Sequence, residues 1–291
     1  MTIRNLLNKR SLSPLDAELI LSFVFNKPRE YLFTHPEHKL NKSQVARYRL
    51  RAAQRLRGEP LAYITGIKEF YNLEFLVSKS VPIPRPETEL LVSLAVKNIL
   101  NTKYQIPNTK IIDVGTGSGN VIVSIVKNIP AKRRKSINFY AIDISNKALE
   151  IAKKNVQRHG VKEFIKFIKS DLLECFLERR VFATKNLLII ANLPYIPPKL
   201  YQKYQKNLKY EPKKALISGK GGLDHYKRLI REIKEILKLR YALCIMCYLE
   251  ISPEQKPALN QFIKKELSAA KVRFFKDLAG KWRVAEISLA P

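Results

Sequence analysis

The chain has 291 residues, 46% of them hydrophobic and 27% charged, ordinary values for a folded protein. That length supports a sizeable core and points to two domains. Fifty-four Lys and Arg against 25 Asp and Glu leave a formal net charge of +29, a field that attracts polyanions. Transient contact with a ribosome or RNA through basic surface is therefore one expectation, and a general lysine-rich bias of composition is the other.

No apolar run approaches the ~20 residues of a membrane span, and MTIRNLLNKR has no secretory apolar region, so no membrane contact and a cytoplasmic location are expected. Cys175, Cys244 and Cys247 are too few for a disulfide framework. The last two form Cys-x-x-Cys inside YALCIMCYLEI, a strand-like run in which residues three apart face opposite ways, so no metal site is expected.

In chain order, Ser13-Pro14 with Asp16 and Glu18 opens a helix with an expected apolar stripe of Leu15, Leu19, Phe23, Ile20 and Val24. A second helix is expected from Asn41 to Gly58, with Val45, Tyr48, Ala52 and Leu56 inward. Arg47, Arg51 and Arg55 then recur on its other side, as a solvated face or a partner surface. EFYNLEFLV alternates like a hairpin. In VPIPRPETELL the prolines fix the backbone direction, which would hold Arg85 and Glu87 toward a site, and Thr88 heads the next helix. Domain boundaries follow: 1–66 helical, 67–84 a hairpin linker, and 85–291 the larger domain.

From Lys110 onward strand and helix patterns alternate, which predicts a mostly parallel α/β sheet covered on both faces. Seven strands are expected, at Lys110 to Val114, Asn138 to Ile142, Ile165 to Ser170, Leu187 to Ala191, Tyr241 to Ile251, Val272 to Phe275 and Arg283 to Leu289. Ser145 to His159 reads as a helix with a serine cap and Gly160 as its stop.

The clearest chemistry lies in IIDVGTGSGNVIVSI. Here a strand ends at Asp113, and Gly115, Gly117 and Gly119 let backbone approach a ligand at the start of a helix. This spacing resembles the first motif of class I S-adenosylmethionine-dependent methyltransferases, whose fold is Rossmann-like. The resemblance implies S-adenosylmethionine as cofactor, held by Gly115, Thr116, Gly117, Ser118 and Gly119. Asp143, at the end of FYAIDIS, would accept hydrogen bonds from the ribose, and Asp171 and Leu172 would lie against the adenine.

LLIIANLPYI runs from a buried strand into Asn192-Leu193-Pro194-Tyr195. A side-chain amide, a proline-stiffened turn and an aromatic ring together suit a planar amide or a nucleobase. The acceptor pair would be Asn192 Oδ1 and a backbone carbonyl. Gly58-Glu59-Pro60, Pro84-Arg85-Pro86-Glu87-Thr88-Glu89, Tyr210-Glu211-Pro212, Gly221-Gly222-Leu223-Asp224, and Lys276-Asp277-Leu278-Ala279-Gly280 with Arg283 extend the pattern along the chain. The whole resembles the N5-glutamine methyltransferases that modify the Gly-Gly-Gln loop of peptide-chain release factors. That resemblance implies release factors as partners docked by the N-terminal helices. It also implies a glutamine gripped by Asn192 to Tyr195, with Asn192 meeting the cofactor as well, and a pocket lined or braced by Arg85 and Glu87.

One position departs from the family, which reads Asn-Pro-Pro-Tyr where this chain has Leu193. The change keeps the carbonyl, adds a backbone N–H that needs a partner, and predicts a softer turn. Asn-Leu-Pro-Tyr also resembles the motif of ribosomal RNA adenine dimethyltransferases, so an RNA or DNA adenine methyltransferase is the alternative. A methyltransferase-like fold serving only in RNA binding or assembly would have let the glycine turn decay, and Gly115, Gly117, Gly119 and Asp143 are all present.

Overall fold

The computed structural model describes residues 1–8, 11–101, 109–178, 184–239 and 241–289. These form two compact units, 1–67 and 68–291.

The first unit holds α1 (Ile3–Leu7), α2 (Pro14–Phe25), α3 (Arg29–Thr34), α4 (Lys42–Leu56) and α5 (Leu61–Thr65). The Ser13 side chain caps α2 by accepting from Asp16 N, and Asn41 with Gln44 forms a reciprocal capping box on α4. The core gathers Ile3, Leu6, Ile20, Leu21, Val24, Leu32, Leu40 and Tyr48. Two expected inward residues are not inward: Leu15 and Leu56 are exposed, because Ala17 and Leu21 carry the buried stripe of α2, and Tyr48 is the buried residue of α4. Arg55 pairs with Asp16 at 3.0 Å, and the Arg51 guanidinium lies over the Phe23 ring, so that side of α4 is partly internal.

The hairpin is β1 (Ile67–Phe70) and β2 (Leu73–Leu76), turned at Tyr71-Asn72 with both residues at positive φ. After a 3₁₀ turn at Pro86–Thr88 comes α6 (Glu89–Leu100). The Rossmann-like sheet then runs β3 (Thr109–Val114), β4 (Ile137–Asp143), β5 (Ile165–Lys169), β6 (Thr184–Ala191), β7 (Ala242–Glu250), β8 (Lys271–Lys276) and β9 (Trp282–Leu289). These match the seven expected strands. Their order is β5-β4-β3-β6-β7-β9-β8, parallel except where β9 pairs antiparallel with β7 and β8.

The helices between strands are α7 (Asn120–Lys127), α8 (Ala131–Arg134), α9 (Asn146–Arg158), α10 (Glu174–Glu178), α11 (Pro198–Leu208), α12 (Asp224–Lys238) and α13 (Lys256–Glu266). Residues of α6, α7 and α9 pack on one face of the sheet, and those of α10, α12 and α13 pack on the other. Ile111 belongs to the first layer and Ile112 to the second, the alternation that a strand buried on both faces requires. Cys247 is buried, Cys244 is half-buried, and both are free thiols. Among the described residues no helix is long and apolar enough to cross a membrane.

Candidate active site

Strand order changes direction at β3, which pairs with β4 on one side and β6 on the other. The carboxyl ends of strands at such a switch point flank a crevice. Register sets its contents: Val114 pairs with Ala191, so the two chains leave the sheet side by side as Gly115 and Asn192.

A cavity of about 430 Å³ opens there, lined by Asp113, Gly115, Thr116, Gly117, Ser118, Asn120 and Val121 from the glycine turn. Asn192, Leu193, Pro194, Tyr195 and Ile196 line it after β6, as do Pro82, Ile83, Pro84, Arg85 and Thr88 from the proline segment. Leu200, Tyr204 and Leu208 of α11 and the Ala215-Leu216 turn complete its apolar side.

The glycine turn is held in a shape that L side chains rarely adopt. Gly115, Gly117 and Gly119 have φ of +73°, +55° and +77°. A Cβ on Gly115 would stand 2.9 Å from Leu193 Cδ2, and one on Gly119 would stand 3.1 Å from Ala152 Cβ. Gly119 thus packs the turn onto α9, whereas Gly115 and Gly117 leave bare backbone in the cavity. Asp143 Oδ2 accepts from Gly117 N at 2.9 Å and Oδ1 from Ser145 N at 2.8 Å, and burial pushes this carboxyl upward. Asp113, almost fully buried, accepts from Thr116 Oγ1 at 2.7 Å. Desolvation pushes it up to about 7, against the lowering by that hydrogen bond.

Leu193 is 4% exposed, and its N–H donates to the Tyr226 hydroxyl at 3.2 Å. Tyr226 in turn donates to the backbone carbonyl of Glu250. The expected soft turn is therefore pinned, because a phenol from α12 takes up the N–H that a proline would lack. Asn192 Nδ2 donates to Thr88 Oγ1 at 3.1 Å, and among the described residues none donates to the other prong of the amide, Oδ1, which stands as an acceptor on a cavity-lining residue. Tyr195 donates to Glu250 Oε1 at 3.3 Å, and burial raises its phenol.

Thr88 does precede α6, yet its hydroxyl makes no capping bond and accepts from Asn192 instead. Arg85 lines the cavity and is ion-paired with Glu211, whose other oxygen accepts from Ile83 N at 3.1 Å. Glu87 does not line the cavity, and Arg283 faces it at 3.6 Å. Asp143, Asp171 and Leu172 stand outside the cavity lining: Asp171 accepts from Arg228 at 2.9 Å, and Leu172 is buried with φ +48°. Sequence reasoning missed Tyr226 and Glu250 altogether and gave Glu211 no task. Leu193 was the available signal for Tyr226, since a new buried N–H demands an acceptor.

The PrmC N-terminal domain model matches residues 2–66, and a methyltransferase domain model matches residues 106–263. The release factor glutamine methyltransferase of Dictyoglomus turgidum is 35% identical over 273 residues, covering 94% of this chain and 90% of its own. That of Koribacter versatilis is 40% identical over 225 residues, covering 77% and 75%. The chain belongs to the release factor glutamine methyltransferase family. Among solved structures, the hMettl16 catalytic domain in complex with MAT2A 3′UTR hairpin 1 superposes with a TM-score of 0.56 at 15% identity, covering 94% of this chain and 93% of that one. At that identity the likeness concerns the fold alone.

Proposed function

We propose that the cavity carries methyl from S-adenosylmethionine to the side-chain amide nitrogen of the release-factor glutamine in Gly-Gly-Gln. The observation that carries this reading is the acceptor left on Asn192 by its bond to Thr88, beside a glycine turn shaped for a ligand. The site suits that cofactor. Side chains at Gly115 and Gly117 would fill the cradle, Asp113 offers a buried carboxyl to an ammonium, and each oxygen of Asp143 keeps a lone pair for a hydroxyl. Asp171 and Leu172 would hold the adenine end.

Bound there, S-adenosylmethionine supplies a methyl group on a sulfonium. A carboxamide nitrogen is a poor nucleophile because its lone pair is delocalised into the carbonyl. Asn192 Oδ1 and the Leu193 carbonyl accept its two N–H groups and fix the plane, with Tyr195 and Pro194 against its face. The cofactor held there would supply the methyl carbon to that nitrogen with the thioether as leaving group, and the nitrogen's extra proton would pass to water. Positioning and charge placement do the work, with no covalent enzyme intermediate. Arg85, tied to Glu211, stiffens the wall beside the substrate loop. The N-terminal unit supplies the docking surface for the release factor, and the basic surface permits transient contact with a ribosome.

Mass spectrometry of release factor incubated with the protein and cofactor should find one added methyl on the glutamine, with none on ribosomal RNA or DNA controls. Methyl on nucleic acid and not on glutamine would sink the reading. Asn192→Ala should lower turnover by on the order of 100-fold while cofactor affinity changes less than about threefold, since the lost acceptor serves the substrate.

A further inference from the structure

Gln255 closes the 3₁₀ turn Pro253–Gln255 that leads from β7 into α13, and it is buried. Ser252 N donates to its Oε1 at 3.1 Å, the ordinary task of a capping residue. Capping leaves both protons of Nε2 unused. Here they go to two backbone carbonyls outside the turn, Tyr195 O and Gly222 O, each at 2.9 Å. With one donor and two acceptors around it, the carboxamide has a single orientation that satisfies all three. Gly222 makes room for this meeting, because its φ is +71° and a Cβ there would run into the Tyr195 carbonyl.

The Tyr195 carbonyl shares a peptide plane with Ile196 N, which donates to Leu216 O at 2.9 Å. A plane held by one hydrogen bond can pivot about it, whereas bonds on opposite edges fix it. This plane is the exit of the Asn192 to Tyr195 turn. At the entrance Leu193 N is held by Tyr226, and between the two holds Pro194 has a locked φ and keeps Leu193 extended. Little freedom is left in the stretch, so the Leu193 carbonyl, to which nothing donates among the described residues, keeps one direction. The Tyr195 ring is held at its far end too, since its hydroxyl donates to Glu250 Oε1.

We propose that Gln255 is a positioning residue of the amide grip: with Gly222 it forms the socket that holds the Tyr195 carbonyl and so aims the Leu193 carbonyl and the Tyr195 ring at the substrate. The proposal rests on the glutamine reading above. Gln255 does not line the cavity, so it acts through the backbone and not by contact.

The test is Gln255→Met, which keeps length and bulk and removes every polar atom of the carboxamide. Assayed well below its melting temperature, it should lose kcat by on the order of 10- to 100-fold, while KM for the release factor and calorimetric affinity for the cofactor stay within about twofold, because the clamp directs an amide already bound. A lower melting temperature with kcat within about twofold of wild type would leave Gln255 a capping residue and overturn the proposal, as would a fall in kcat matched by lost cofactor affinity. Should Gln255→Met not fold, Gln255→Glu keeps an acceptor for Ser252 N and, at about pH 8, sets an oxygen against the two carbonyls. It must show the same loss, and wild-type kcat overturns the proposal. A wild type that transfers no methyl to the glutamine is a failure of the glutamine reading, which takes the proposal with it and is distinct from a variant that matches an active wild type.

Discussion

Leu193 carries a backbone N–H that a proline at the same place would lack, and the Tyr226 hydroxyl makes that N–H harmless. A buried donor left without a partner costs about 1–3 kcal/mol, so Tyr226→Phe should destabilise by that amount in urea denaturation. Leu193→Pro removes the donor, and in that background Tyr226→Phe should cost less, giving a coupling of about 1 kcal/mol or more across the four proteins. Additive effects would mean that the two groups do not depend on each other. Gly115 belongs to the same contact: its φ of +73° and the 2.9 Å approach of Leu193 Cδ2 exclude a side chain. Gly115→Ala should therefore weaken cofactor binding by on the order of tenfold or more, measured by titration.

At the scale of elements, α9 is tied to both the hairpin and the glycine turn through Asn155, which is fully buried. Its Nδ2 donates to Leu76 O at 2.9 Å and Ser118 O at 2.8 Å, and its Oδ1 accepts from Leu76 N at 2.7 Å. Asn155→Leu keeps the volume and strands three backbone groups, so a loss of roughly 2–5 kcal/mol is expected, together with weaker cofactor binding at Ser118. A stable variant with intact affinity would show that the hairpin and turn hold themselves. Asn155 lay unnoticed in the sequence because a polar residue on an amphipathic helix reads as solvent-facing until its partners are known. The strands were legible for the opposite reason. β3 carries the buried pair Ile111-Ile112 and β6 the unbroken apolar run Leu187 to Ala191, buried on both faces, and the glycine turn and Asn192 to Tyr195 follow them directly. The insertion of β9 between β7 and β8 was not legible, since strand order is set by packing of the whole sheet. Nor was the bond from Asn192 to Thr88, which joins positions distant in the chain.

Over the whole molecule, charge and burial pull stability in opposite directions with pH. The net charge of +29 grows as carboxylates take up protons, so self-repulsion works against the fold on the acid side. Asp113 and Glu250 work the other way. Burial raises each to about 7, so between the ordinary carboxylate range and pH 7 the folded chain binds protons that the unfolded chain has released. Their stabilising effect is fully present below the unfolded value and is lost as pH rises through about 7, by on the order of 3 kcal/mol for each. Self-repulsion is common to wild type and Glu250→Gln apart from one charge, and added salt screens it. The difference in unfolding free energy between the two at fixed salt therefore isolates Glu250. From pH 5 to pH 8 that difference should shift in favour of the glutamine variant by about 2–3 kcal/mol, because only wild type must ionise a buried carboxyl. A difference independent of pH would show that Glu250 ionises as freely in the folded chain as in the unfolded one.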